Sequence, residues 1–216
     1  LLVAIFAGAG AGALHAFLCI TLKADEILSG IAINFAALGL TTFLNRTIFG
    51  RTPDPVDAFE PFAVPFLSEI PVMGPLFFNH IPLVYLLYLA APVTWFVLFR
   101  TRTGLRLRSI GEDPAAASGC GVPVKFYQYG AMLACGGLAG ASGSYASLGN
   151  IQYFTENMTA GNGFIALAVV IVGRWNPLLV MGVAILFGAV WSLALRGQGM
   201  EDFLPYEILL MLPYVL

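Results

Sequence analysis

Few residues in this chain have side chains that do chemistry, and their spacing excludes most of what they could do. His15 lies in an apolar run and His80 near the end of a proline-rich stretch, with neither metal-ligand nor nucleophile–base spacing. Cys19, Cys120 and Cys135 are odd in number and irregularly placed, which reads as free packed thiols and not as a zinc site. Neither Lys23 nor Lys125 follows a glycine, so no phosphate-binding loop is present and the chain has no means of hydrolysing ATP. Gly8, Gly10, Gly12 and Ala13 nominally fit a dinucleotide-binding pattern but sit inside an apolar span without the strand that pattern needs. Gly8/Gly12 and Gly136/Gly140 instead have the four-residue spacing of close helix packing. The sequons at Asn45 and Asn157 are three-residue patterns common by chance. Catalytic residues, a metal site and a cofactor held by this chain are therefore not expected.

The informative polar groups are those among apolar neighbours. Asn34 is the one strongly polar side chain between Gly30 and Leu40. An unpaired buried amide costs several kcal/mol, so it must meet another helix or line an aqueous path. Glu156 and Asn157 precede a short apolar segment and carry the same two readings; carboxylates at such depth are functional candidates. Ser29 and Asn162, beside glycines that open two apolar segments, complete the candidate pathway set.

The elements that position these residues follow from charge. Of 216 residues, 59% are apolar and 10% charged, where soluble domains carry about 25% charged residues. A net charge of −2 excludes an electrostatic nucleic-acid binder, and no nucleic-acid partner is expected. No charge falls in 1–22, 27–45, 70–99, 126–155, 157–173 or 175–195. Each window can hold a membrane-spanning helix of about 20 residues. The fold expected is all-α: one polytopic transmembrane helical bundle over 1–216. The chain opens inside an apolar run and closes on the short apolar run 208–216, so it reads as a fragment with further helices on both sides.

Segment 100–125 carries Arg100, Arg102, Arg106, Arg108 and Lys125 against Glu112 and Asp113, a net of +3. By the positive-inside rule it is cytoplasmic. Segments 46–82 and 196–207 each have a net charge of −2 and lie outside, 46–82 forming a proline-rich outer loop. Helices are expected at 1–22, 27–45, 83–99, 126–148, 161–173 and 178–195, with another starting at 207. The apolar part of the fifth, 164–172, spans only about 14 Å, which marks a broken helix beside protein or a water-filled cavity. An internal echo links 9–13, the acidic pair at 25–26 and the glycine at 30 with 136–141, Glu156 and Gly161/Gly163; inverted repeats give such a pattern. Within the basic loop, Ser109 or Asp113 can cap one short helix starting near Pro114 and stopped by Gly119 and Gly121, lying parallel to the membrane face. A cap, helix and stop inside a basic loop suggest a docking element.

Residues 103–124 (TGLRLRSIGEDPAAASGCGVPV) resemble the cytoplasmic coupling segment of bacterial ABC-importer permeases of the branched-chain amino acid, ribose and nucleoside group. Residues 155–168 (TENMTAGNGFIALA) and 172–178 (VGRWNPL) resemble the nucleoside permeases fed by basic membrane lipoproteins, and 27–44, 71–75 and 210–216 fit the same pattern. Cys120 and Pro123 depart from it. The resemblance implies a permease subunit in the bacterial inner membrane among lipids, paired with a second permease. An extracytoplasmic lipoprotein would deliver nucleosides or related purine compounds. A separate ATPase subunit would use ATP and Mg2+, so this chain would not be an enzyme. Gly104, Arg106, Gly111, Glu112, Pro114, Ala116, Gly119 and Gly121 would form the ATPase-coupling segment. Simple sugars or branched-chain amino acids are the alternative cargo. An ion-coupled secondary transporter would have to rely on Glu26 and Glu156, both near span ends.

Overall fold

A computed structural model describes residues 1–48, 50, 62–63, 79–151 and 154–197. Most of the outer loop 46–82, the segment 71–75, and everything from 198 on, including the helix expected from 207, lie outside the described residues.

The chain divides into two compact units, Leu1–Tyr88 with Val97–Ala160, and Leu89–Phe96 with Gly161–Leu216. In the first unit, α1 (Leu2–Ala16) continues into a π turn, Phe17–Thr21. The chain then passes through Lys23 at φ +55° into α2 (Glu26–Ile48). Asp25 starts α2: its Oδ1 accepts from the amides of Ile27 and Leu28, both at 2.9 Å. This satisfies two of the four amides that a helix start leaves open. After α2, Phe62 pairs with His80 and Ala63 with Asn79 in a two-residue antiparallel ladder of β1 (Phe62–Ala63) and β2 (Asn79–His80). Helix α3 (Pro82–Arg100) follows, with Pro82 in its first turn, where a missing amide hydrogen costs nothing.

Two helices occupy the basic loop, α4 (Arg102–Glu112) and α5 (Pro114–Gly119), where one was expected. The arginines that mark the segment as a positive loop are compatible with a helix, and Thr101 supplies a second cap. Helix α6 (Val124–Tyr145) ends, like α1, in a π turn, Ala146–Ile151.

The first unit is organised on the contact of α1 with α6, the most extensive helix pair among the described residues. A Cβ on Gly8 would overlap backbone at Gly136 and Gly140; one on Gly12 would meet the Met132 carbonyl and Gly136; one on Gly140 would overlap Ala4. The numbering rises along one helix as it falls along the other, so the pair is antiparallel. The four-residue glycine spacing therefore serves close backbone approach, and the two glycine-rich helices serve each other. Beyond the seam, the Thr21 hydroxyl lies 2.5 Å from that of Tyr129 and tethers the π turn of α1 to α6.

In the second unit, α7 (Asn162–Val172) has 11 residues, about 16 Å of helix, and is the short element expected at 161–173. It turns through Arg174 and Trp175, both at positive φ (+51° and +58°), into α8 (Pro177–Gly197). Asn176 caps α8, accepting from the Leu178 amide at 3.1 Å. A Cβ on Gly173 would run into Val180, so the α7–α8 turn is tight.

Leu2–Thr21, Glu26–Ile48 and Pro82–Arg100 are long and apolar enough to cross a membrane. Helix α6, expected as a span, has the length (22 residues) but is not among them. Its glycines, alanines and serines suit helix contact more than lipid contact. Phe6, Phe35, Leu89 and Phe96 are among many large apolar side chains left exposed. The buried apolar positions are chiefly small: Ala16, Ala117 and Ala141, with Ile110 and Val169. Water would penalise so much bare apolar surface, while lipid does not.

Candidate functional site

The α4–α5 segment is a built element. Thr101 caps α4: its Oγ1 accepts from the Gly104 amide at 3.2 Å and donates to the Val97 carbonyl at 2.6 Å. Gly104 is buried, and a Cβ there would overlap the carbonyls of Val97 and Leu98, so α4 is pressed onto the last turn of α3. Arg106 Nη1 donates to the Tyr127 hydroxyl at 2.8 Å, joining α4 to the first turn of α6. The Arg108 guanidinium lies over the Phe99 ring, 4.9 Å from its centre.

Helix α5 is capped at both ends. Of the two expected capping candidates, Asp113 takes the role: its Oδ1 accepts from the amides of Ala115 (2.8 Å) and Ala116 (3.1 Å). Pro114 then fills the first helical position. Ser109 instead donates to the Arg106 carbonyl within α4. At the far end the Gly121 amide donates to Ser118 (2.9 Å) and the Val122 amide to Ala117 (3.1 Å). This double closure needs a left-handed residue, and Gly121 at φ +78° supplies it. Glu112, Pro114, Ala116 and Gly119 are exposed, and a Cβ on Gly111 or Gly119 would meet nothing within 4 Å. The segment therefore presents α5 as an uncharged, small-residue helix, while α4 ties the loop to the ends of α3 and α6.

The four candidate pathway residues of the first unit, Ser29, Asn34, Glu156 and Asn157, do not form one cluster. Ser29 is buried, 3.1 Å from Cys19 Sγ and 3.3 Å from His15 Nδ1, and donates to the Glu26 carbonyl at 3.2 Å. Asn34 is exposed on α2, with no side-chain hydrogen bond among the described residues. Glu156 lies at the other end of α2, about 25 Å of helix from Ser29. It pairs there with Arg46, Nε at 2.9 Å and Nη2 at 2.8 Å. Asn157 sits next to it at φ +57°, its carbonyl accepting from the Ala160 amide. Asn162 opens α7 in the second unit.

His15 and Cys19, to which the sequence assigns no catalytic or metal role, meet Ser29, and Arg46, noted only for its charge, meets Glu156. A histidine and a cysteine four apart share a helix face, which was a legible cue. Nothing in the sequence points from Arg46 to a carboxylate 110 residues away. Cys120 and Cys135, expected to be packed, are exposed; Cys19 is half-buried.

Apolar spans, a glycine-packed helix pair and a capped helical loop together describe a multi-pass helical membrane protein. The chain belongs to the family described as the branched-chain amino acid transport system/permease component, which matches residues 1–216. It is 40% identical to the guanosine ABC transporter permease protein NupQ of Bacillus subtilis over its whole length, 69% of that protein. It is 38% identical to the nucleoside ABC transporter permease protein NupC of Lactococcus lactis, over 96% of this chain and 67% of that one. It is also 38% identical to the putative glucose ABC transporter permease protein TsgC13 of Haloferax volcanii, over 92% of this chain and 61% of that one. The chain thus spans roughly 60–70% of these relatives. No solved structure matches it.

Proposed function

We propose that this chain forms part of the membrane pathway of an ATP-driven importer for nucleosides or related purine compounds in the bacterial inner membrane. The observation that carries the reading is whole-chain similarity, at 40% identity, to a guanosine permease. A separate ATPase subunit uses ATP and Mg2+, a second permease completes the pathway, and an extracytoplasmic lipoprotein delivers the cargo. The double-capped α5 seats in a groove of the ATPase. Closure of the ATPase pulls on α5, and α4 passes the motion to α3 through Gly104 and to α6 through Arg106 and Tyr127. ATP biases the pathway only through this differential contact. Ser29, Asn34, Glu156, Asn157 and Asn162 are the candidates for cargo contact.

Uptake of labelled nucleoside into liposomes tests this, using the full-length subunit with its permease, ATPase and lipoprotein partners. ATP-dependent uptake that resists competing glucose, ribose and leucine is the expected result. Competition by glucose would favour a sugar importer, the second reading that the Haloferax volcanii relative supports. Uptake driven by an ion gradient without ATP would overturn both.

A further inference from the structure

The basic loop holds two helices of opposite character. Helix α5 carries no charge, whereas α4 carries Arg102, Arg106 and Arg108 within seven residues. Among the described residues no carboxylate lies within ion-pair distance of these three, the one ion pair being Arg46–Glu156. Three cations on one short helix with no carboxylate partner among the described residues call for an anionic partner.

The attitude of α4 identifies where that partner is. Were α4 a straight continuation of α3, residue 108 would lie about 13 Å beyond Phe99, too far for an arginine to cover the ring. The Arg108–Phe99 contact and the Gly104 contact therefore turn α4 across the end of α3. The Arg106–Tyr127 hydrogen bond carries it to the start of α6. Helix α3 is an apolar span, so a helix lying across its end is at headgroup level. Gly104 and Ile110 face inward, buried. The opposite face shows Arg102, Leu105, Arg106 and Ser109 at helical spacing, with Leu105 62% exposed. An exposed leucine set between arginines resembles the mixed apolar and cationic face of helices lying in a membrane interface. Phe126, beside Tyr127 at the start of α6, is also exposed, at 74%.

We propose that α4 is a membrane-surface helix whose Arg102, Arg106 and Arg108 bind the phosphates of anionic phospholipids in the cytoplasmic leaflet. The two helices then divide the loop's work: α4 anchors it to lipid and leaves α5 free to meet a protein. The leaflet, though not the lipid binding, rests on the cytoplasmic placement of this loop.

The test uses the full-length subunit in detergent micelles, without ATPase, so that transport plays no part. Dioleoylphosphatidylglycerol or dioleoylphosphatidylcholine is titrated in, and bound lipid is counted by native mass spectrometry. Phosphatidylglycerol should bind more tightly, and each Arg→Gln change should weaken it about fivefold. Phosphatidylcholine binding should not change, and the triple Arg→Lys variant should keep the preference. If the Gln variant at Arg106 or Arg108 fails to fold, Arg102→Gln alone carries the test. Equal binding of the two lipids by the native subunit, or undiminished phosphatidylglycerol binding by the Gln variants, overturns the proposal. Sidedness is read separately, by labelling Cys120 with a membrane-impermeant maleimide in a variant whose other cysteines are replaced by serine. Labelling of inside-out vesicles alone supports the cytoplasmic leaflet, and labelling of intact cells overturns it.

Discussion

The α1–α6 seam and the α4–α5 loop both depend on glycine, but for different reasons. In the seam, Gly8, Gly12, Gly136 and Gly140 are spacers: every Cβ added there would meet the facing backbone. In the loop, Gly104 is a spacer of the same kind, while Gly121 is there for its left-handed φ and Gly111 and Gly119 face open space. The contrast separates glycines that the chain uses on itself from glycines that leave room for something else. Lipid gives two apolar helices little reason to associate beyond close contact, so the seam has to be tight. The loop gets its shape from capping hydrogen bonds and can leave one side bare.

The largest effect should come from breaking the seam. Gly8→Leu or Gly136→Leu forces side chain into backbone, where overpacking costs about 1–3 kcal/mol or more. Size-exclusion chromatography of the full-length subunit should show loss of the monodisperse species, and normal folding would refute the seam. Gly104→Val comes next. It should lift α4 from α3 and abolish ATP-dependent uptake while surface abundance stays near normal, the two being read in parallel by transport assay and immunoblot. Gly111 sharpens the comparison. Replacing it with Ala should stabilise the isolated subunit by up to about 1 kcal/mol through helix propensity, seen as a raised thermal midpoint. Gly111→Trp should instead lower uptake, because the open space belongs to a partner; unchanged uptake would mean that nothing docks there. Asp113→Ala should cost about 1 kcal/mol of local helix stability, reduce uptake partially and be rescued by Asn or Ser. The smallest effect belongs to Arg46→Ala: its pair with Glu156 is solvent-exposed and worth at most about 1 kcal/mol, so the thermal midpoint should barely move.

Legibility in the sequence followed the range of the interaction. Charge-free windows located the apolar helices, because the cost of burying charge in lipid is a property of each segment alone. The Asp113–Pro114 cap and the Gly121 stop were readable for the same reason, since capping acts within a few residues. The shortness of α7 followed from its flanking glycines. Helix α4 was missed because four arginines in nine residues read first as a solvated loop, although Gly104, Leu107 and Ile110 already mark an inner face. The pairing of the two glycine spacings with each other, and that of Arg46 with Glu156, are long-range and have no local signature. The π turns that end α1 and α6 have none either. The four pathway candidates of the first unit are all polar, but the chain spreads them along the length of α2, which residue type alone cannot reveal.

The turn between α7 and α8 carries a last consequence. Arg174 and Trp175 hold consecutive left-handed conformations that asparagine and glycine adopt at far lower cost. The chain thus forgoes stability that a two-residue exchange would recover, because a permissive pair at these positions relieves the backbone. An Asn-Gly turn would be a direct route to a hardier protein for crystallisation. Any transport lost in that hardier protein would be a measure of what the native pair contributes.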